Sequence, residues 1–217
     1  RPTPLAVRYV HAELSRDRPA VREYALLAMG IGGMDGTLEK AQAMLASRSP
    51  TTRGAACIAL GLLGTAERNP GADTSLRVAC RIALTKVIED DPNPYVRGYA
   101  ALATGMVGGE EARGTVEAMA RTTRTSRARA YGLLALSLLG GSHKNELLAD
   151  IRASERQMRL PLVATHAIYA LGFTKDRRHL ETILQSIESM DNRYAKAASL
   201  IALAYLCTGE SIPRRHA

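Results

Sequence analysis

The hydrophobic residues of this chain recur in one helical pattern that appears six times. The segments read VREYALLAMGIG, TRGAACIALGLLG, VRGYAALATGMVG, ARAYGLLALSLLG, VATHAIYALG and AKAASLIALAYL. Each of them is apolar over most of its circumference, which predicts a helix that is buried between neighbours. Amphipathic stretches such as TLEKAQAMLAS lie between these segments and carry one apolar stripe and one polar side. Alternation with a period of two is absent, so no strands are predicted.

A single register aligns the six segments. Their leading residues are Arg22, Arg53, Arg97, Arg129, Ala164 and Lys196, which stand 31, 44, 32, 35 and 32 residues apart. An alanine, glycine or serine follows three residues after each leading residue, and again eight residues after it. A near-constant period of this size is the signature of a solenoid of stacked helical hairpins. The sequence therefore predicts an all-α solenoid of about six hairpins, each with an outer and an inner helix.

The predicted repeats occupy one domain over 1–217, with approximate bounds of 4–33, 36–64, 72–108, 110–140, 143–172 and 175–208. Outer helices are expected near 4–15, 36–47, 72–89, 110–121, 143–154 and 175–189. Inner helices are expected near 19–31, 50–63, 93–107, 126–139, 157–171 and 192–207. Glycines after these segments, among them Gly30, Gly33, Gly64 and Gly172, are predicted to end helices by adopting the left-handed conformation. The chain begins with Arg1 and not with Met, which favours a processed piece of a longer protein.

One turn and the helix after it carry a family resemblance. The run Asp91-Pro92-Asn93-Pro94-Tyr95-Val96-Arg97, followed by Ala100 and Gly105, resembles the HEAT repeat signature, and the run from Asp17 to Arg22 repeats it. The short period is most similar to the bacterial HEAT-like repeats first described in phycobilisome lyases. The resemblance covers essentially the whole chain and implies the solenoid fold. It does not select a function, because such repeats serve in scaffolds, adaptors, lyases and DNA-repair proteins.

The leading arginines are the first candidate site. Arg22, Arg53, Arg97 and Arg129 occupy equivalent positions in successive inner helices and could form a ladder along the solenoid. The family resemblance implies a structural role, in which such an arginine pairs with an aspartate before its helix or in a neighbouring repeat. Asp17 and Asp91 stand at the positions that this pairing needs. Binding of phosphate or of an acidic peptide is the alternative.

A basic rim is the second candidate site. The stretch 121–129 holds four arginines and no acidic residue, which gives it half of the net charge of +8. The matching turn of the next repeat is also basic, and adjacent repeats lie about 10 Å apart, so both turns fall on one edge. The predicted rim consists of Arg121, Arg124, Arg127, Arg152, Arg156 and Arg159. This rim either binds an acidic partner or has no binding role, in which case its arginines are solvated and complement helix dipoles.

Catalytic chemistry finds little support in the sequence. The three cysteines, Cys57, Cys80 and Cys207, lack the spacing of a disulfide framework or a zinc site, which makes a reducing compartment such as the cytoplasm the default. The five histidines show no metal-binding spacing, and the glycine pairs open no phosphate-binding loop. We therefore predict no metal, no cofactor and no catalytic residue. No run of 18 apolar residues occurs, so no membrane span is predicted.

The leading functional prediction is a non-catalytic scaffold that binds another protein through its concave face or its basic rim. The partner is expected to carry an acidic segment, which the rim would attract. The alternative is binding of the nucleic-acid backbone through the same rim. A lyase-like or glycosylase-like enzyme is a weaker alternative that rests on the family resemblance. The absence of Trp and the single Phe disfavour base excision, because base stacking would depend on tyrosines.

Overall fold

The computed structural model describes residues 2–15, 18–65, 74–139, 159–174, 176–189 and 193–207. In these ranges the chain forms helices and no strands. The helices are α1 (Pro4–Leu14), α2 (Pro19–Gly32), α3 (Thr37–Leu45), α4 (Pro50–Gly64), α5 (Thr74–Asp90), α6 (Pro94–Val107), α7 (Arg113–Thr122), α8 (Ser126–Leu139), α9 (Pro161–Phe173), α10 (Leu180–Ser189) and α11 (Arg193–Cys207). Short 3-10 turns at Glu110–Ala112 and Arg177–His179 precede α7 and α10.

The helix starts follow from local sequence. Proline occupies the first turn of α1, α2, α4, α6 and α9, where its fixed φ suits the helix and its missing N–H leaves no donor unpaired. Side chains before three of these helices also accept a backbone N–H: Thr3 from Ala6, Ser49 from Thr52 and Asn93 from Tyr95. These signals explain why the sequence places the helix starts within a few residues of their observed positions.

The helices form two layers. The inner layer is α2, α4, α6, α8, α9 and α11, and each of these helices packs on the next. The outer helices α1, α3, α5, α7 and α10 each pack on the inner helix that follows them. The predicted all-α solenoid of helical hairpins is confirmed for the described residues. The outer helix predicted at 143–154 lies outside them.

Small residues set the spacing of the inner layer. The glycine eight residues after the leading residue faces an alanine of the next inner helix. A Cβ built on Gly61 would lie 2.9 Å from Ala103 Cα, and one built on Gly105 would lie 2.7 Å from Ala135 Cα. Such approaches leave no room for a side chain, so the repeated glycine is a helix–helix contact point.

Two of the glycines that the sequence predicts to be helix ends are not ends. Gly30 and Gly172 lie inside α2 and α9, where a Cβ on either would come within 2.6 Å of the next inner helix. Helix α2 instead ends at Gly33, whose φ of 56° is left-handed. Gly64 is the last residue of α4, but it does not adopt the predicted left-handed conformation. The prediction failed at Gly30 and Gly172 because glycine also serves close helix packing.

The two layers pack differently. The inner helices touch one another along their length, whereas adjacent outer helices such as α5 and α7 touch over much less of theirs. Closer packing of the inner layer is what the concave side of a solenoid has, so the accessible face of the inner helices is called the concave side here. The core between the layers is built from buried alanine and leucine, including Leu26, Leu60, Leu84 and Leu133.

Candidate partner-binding surface

The concave side carries two rows of large apolar residues. Five residues after each leading position stand Leu27, Ile58, Leu102, Leu134, Tyr169 and Ile201. Nine residues after it stand Ile31, Leu62, Met106, Leu138, Phe173 and Tyr205. Positions four residues apart share one helix face, so the two rows run side by side. Apart from the buried Leu62, all of these side chains keep part of their surface accessible, and Ile31 and Ile201 are 51% and 44% exposed.

Charged residues on the inner helices are confined to the helix starts. In each inner helix as described, Arg, Lys, Asp and Glu occur only among the first five residues. The rest of each helix offers alanines, glycines and the two apolar rows. A partly exposed face of this length without charge marks an interaction surface more often than an ordinary solvated one.

An aromatic row borders the apolar rows. Tyr99, Tyr131 and His166 stand two residues after the leading positions of α6, α8 and α9. The ring centroids of Tyr99 and Tyr131 are 5.3 Å apart, and those of Tyr131 and His166 are 6.0 Å apart. Tyr169 continues the contact, with its ring 6.2 Å from that of His166. The three helices thus share one continuous strip of rings in tilted and edge-to-face contact, at separations that favour aromatic interaction.

Burial shapes the chemistry of this strip. The His166 Nδ1 donates to the Leu162 carbonyl at 2.8 Å, and burial lowers the pKa of the imidazole. Burial also raises the pKa of the Tyr131 phenol. Both groups are therefore neutral near pH 7. On the chain after α9, Asp176 pairs with Arg178, and the hydrogen bond from Arg178 lowers the pKa of the Asp176 carboxyl to about 2.

The described part of the basic rim is exposed. Arg121, Arg124, Arg127 and Arg159 all face solvent. Arg121 pairs with Glu117 at 2.8 Å, and the Arg127 guanidinium lies 5.2 Å from the centre of the Tyr95 ring. Arg127 also lies close enough to Tyr131 to act on its pKa, so the rim borders the aromatic strip. Arg152 and Arg156 lie outside the described residues.

Within the described residues, three leading arginines turn back to the end of the preceding outer helix. Arg53 donates to the Ser47 carbonyl at 2.9 Å, Arg97 to that of Asp91 at 2.6 Å and Arg129 to that of Thr123 at 2.5 Å. Each acceptor is six residues before its arginine. The arginines thereby satisfy carbonyls that a helix end leaves without a partner.

One leading arginine also forms an ion pair between repeats. Arg53 holds Asp91 with two hydrogen bonds of 2.6 and 3.0 Å. The hydrogen bond to Asp91 raises the pKa of Arg53. Both side chains are nearly buried, so this pair joins the second hairpin to the third. Arg22 is half-buried, and Asp17 lies outside the described residues.

Reactive and metal-binding groups are sparse in the described part of the chain. Cys57 and Cys80 are buried free thiols, and burial raises their pKa values to about 12 and about 11. Thiols of this kind are poor nucleophiles near pH 7. Among the described residues, no three His, Cys, Asp or Glu side chains come together in a way that could hold a metal ion. None of the described helices is long and apolar enough to cross a membrane.

No protein-family model matches the chain, and no curated protein matches it. A solved structure that is similar to it is human deoxyhypusine hydroxylase in complex with glycerol, with 18% sequence identity and a TM-score of 0.45. The alignment covers 94% of this chain and 85% of that one.

Proposed function

We propose that this solenoid is a protein-binding scaffold, whose concave face holds an apolar segment of a partner while the basic rim attracts acidic residues beside it. The two apolar rows of the inner helices carry the proposal. Membership of the HEAT-like family, which the Asp91–Arg97 turn suggests, would agree with such a role.

The chemistry of the partner follows from the surface. The apolar rows bury aliphatic and aromatic side chains, and the uncharged helix face gives an ionic group inside the concave side nothing to pair with. Arg121, Arg124 and Arg127 stand at the edge of this face. A segment that fits is therefore apolar over several helical turns and acidic at one side. The rim speeds its association, and apolar burial holds it in place.

Selection from a defined peptide library tests this proposal. The library holds 15-residue peptides in four classes: apolar with acidic residues, apolar with basic residues, acidic without apolar residues, and scrambled polar sequences. We expect the immobilised protein to enrich the first class. The enrichment is expected to fall at high salt, because the rim is exposed to solvent.

Matched variants locate the surface. Tyr24→Glu and Ile31→Glu change residues that are 73% and 51% exposed on the inner layer, and Ile82→Glu changes one that is 65% exposed on the outer helix α5. All three substitutions introduce the same charge at an exposed site. Loss of enrichment in the two inner variants alone would support the proposal. Equal loss in Ile82→Glu, or no preference among the four classes, would overturn it.

Binding of the nucleic-acid backbone is the second candidate function. The exposed Arg121, Arg124 and Arg127 and the net charge of +8 favour it. Fluorescence anisotropy of labelled duplex DNA, at low and at physiological salt, tests it with Arg121, Arg124, Arg127 and Arg156 changed together to Glu. Binding that falls steeply with salt and disappears in this variant would place nucleic acid first. Weak binding that is unchanged by the substitutions would exclude nucleic-acid binding through this rim. An enzymatic role stays the weaker prediction, and no described residue is assigned to it.

A further inference from the structure

The junction between the second and third hairpins shows how this fold holds a carboxylate. Arg53 donates from Nε and from one terminal nitrogen to the two oxygens of Asp91. The side chains of Arg53 and Asp91 are only 12% and 7% exposed. This two-bond geometry matches a planar guanidinium to a planar carboxylate.

The next junction repeats this arrangement without the acid. Asp91 is six residues before the leading Arg97, and Thr123 is six residues before the leading Arg129. The Asp91 side chain accepts the N–H of Asn93, and the Thr123 hydroxyl accepts the N–H of Thr125. The two residues also end their outer helices alike, since the amide of each donates to the carbonyl four residues earlier. Thr123 is therefore the equivalent of Asp91 in the following hairpin.

Arg97 stands where Arg53 stands, but no acidic side chain among the described residues forms an ion pair with it. Its one hydrogen bond within the described residues goes to the Asp91 carbonyl at 2.6 Å and uses a single terminal nitrogen. The remaining N–H groups of Arg97 have no hydrogen-bond partner in this part of the chain. In Arg97 the N–H groups that correspond to the two Arg53 donors to Asp91 are therefore available to a ligand.

These donors face an open cleft between the third and fourth hairpins. A cavity of about 280 Å³ is lined by Arg97 and Arg124 together with Pro94, Met119, Thr122, Thr123 and Thr125. A second cavity of about 480 Å³ shares Arg97, Met119 and Thr122 and extends along α7. Its lining includes Glu89, the acidic residue among those that line the two cavities. The smaller cavity thus offers two arginines and several hydroxyls, and the larger one shares Arg97 and adds an acid.

We propose that this cleft binds a carboxylate of the protein partner, with Arg97 taking the role toward the partner that Arg53 has toward Asp91. The carboxylate is an Asp or Glu side chain or a chain terminus, and Arg124 is the second cationic contact. This inference rests on the proposed scaffold function and assigns the acidic side of the partner to one place on the rim. The internal Arg53–Asp91 pair favours a carboxylate over a phosphate as the ligand.

A binding assay with a defined acidic probe tests the site. The probe is fluorescein-labelled hexaglutamate, followed by anisotropy at low salt, with hexaglutamine as the uncharged control and inorganic phosphate as a competitor. Thr123→Asp supplies an internal acid that would occupy the donors of Arg97. We therefore expect it to weaken hexaglutamate binding by about tenfold or more, the contribution typical of charge-assisted hydrogen bonds. Thr123→Asn keeps the turn without the charge and is expected to bind as the natural protein does.

Two further variants keep the test decisive. Ser126→Asp adds the same charge three residues after Thr123, at a position that does not line the cleft, and controls for general electrostatics. Its binding is therefore expected to change by less than about threefold. Arg124→Gln changes an exposed residue and is expected to weaken binding even if Thr123→Asp fails to fold. The inference is overturned if hexaglutamate does not bind, if Thr123→Asp and Ser126→Asp weaken binding equally, or if phosphate displaces a probe that the Thr123 and Arg124 variants bind unchanged.

The outcome separates this inference from the proposed function. The peptide-library selection depends on the apolar rows of the inner helices, whereas hexaglutamate has no apolar side chains and reports only on the rim. Loss of library enrichment in Tyr24→Glu and Ile31→Glu, together with equal hexaglutamate binding by Thr123→Asp and Thr123→Asn, would leave the scaffold in place and remove the carboxylate site.

Discussion

Two neighbouring junctions of this solenoid share one helix packing and differ in one ion pair. Between the second and third hairpins Gly61 packs on Ala103, and between the third and fourth Gly105 packs on Ala135. At the rim the first junction is closed by Asp91, whereas Thr123 leaves the second one open. The inner helices therefore set the repeat geometry, whereas the residues at the ends of the outer helices can vary. A substitution that removes the ion pair at such a position can therefore open a binding site at some loss of stability, without moving the inner helices.

The largest expected effect comes from opening the closed junction. Asp91→Asn keeps an oxygen for the Asn93 amide but leaves the nearly buried Arg53 without its counter-charge. Removing one partner of such a pair costs about 3 kcal/mol of the free energy of unfolding. Urea denaturation of the variant beside the natural protein measures this cost. A loss below about 1 kcal/mol would mean that the pair acts like an ordinary surface salt bridge.

A smaller effect is expected where the two junctions are alike. In Gly105→Ala the new methyl carbon would lie 2.7 Å from Ala135 Cα and 2.9 Å from its carbonyl oxygen, so the backbones must separate. Overpacking of this kind costs about 2 kcal/mol and outweighs the higher helix propensity of alanine.

The matched control for that substitution is Gly114→Ala in α7, where the added carbon meets nothing within 4 Å. It is expected to stabilise the protein by about 0.5–1 kcal/mol, because only the helix propensity changes. The sign of the two effects, read from thermal melts, distinguishes a contact point from an ordinary helical glycine. A gain in both variants would contradict the close packing of the inner layer.

Closing the open junction is expected to stabilise the protein modestly. Thr123→Asp places a carboxylate opposite Arg97 in the turn that Asp91 already adopts. We expect a gain of about 1 kcal/mol in the free energy of unfolding, because Arg97 lines an open cleft and the new pair would be partly screened by solvent. The gain is expected to shrink in 1 M salt, whereas Thr123→Asn gives none. A destabilised Thr123→Asp would show that the two turns are not equivalent.

The repeat architecture could be predicted from the sequence because its signal is local and repeated. The leading arginines and the small residues after them lie at fixed spacings, and the proline and capping residues mark the helix starts. The pairing of Arg53 with Asp91 over 38 positions is different, since it depends on how two turns face each other across a junction. The sequence placed both residues in a ladder but could not distinguish Arg53 from Arg97.

The role of the glycines and the accessibility of the concave surface could not be predicted from local sequence either. A glycine near the end of a helical segment, such as Gly30, can either end the helix or contact the next helix. The close approach of Ala59 in the folded protein shows that Gly30 is a contact point. The apolar residues five and nine positions after each leading residue recur in the same register as the repeats. From the sequence alone they are predicted to be buried, because the pattern does not indicate which side of an inner helix stays accessible.

The smallest expected effect concerns His166, which belongs to the aromatic strip and to neither junction. Burial against Tyr131 and Tyr169 holds the pKa of His166 below its ordinary 6.5 in the folded protein. Between that lowered pKa and 6.5 the unfolded chain binds more protons, so the free energy of unfolding is greatest above pH 6.5 and decreases as the pH falls below it.

Thermal melts between pH 7.5 and pH 5 measure this dependence, and His166→Gln serves as the comparison because it does not titrate. The other histidines and the carboxylates contribute equally to both proteins, so the difference between the two pH profiles isolates His166. We expect the natural protein to lose more stability than the variant as the pH falls. Parallel profiles would mean that water reaches the imidazole, and the strip between α8 and α9 would then be more open than the ring contacts indicate.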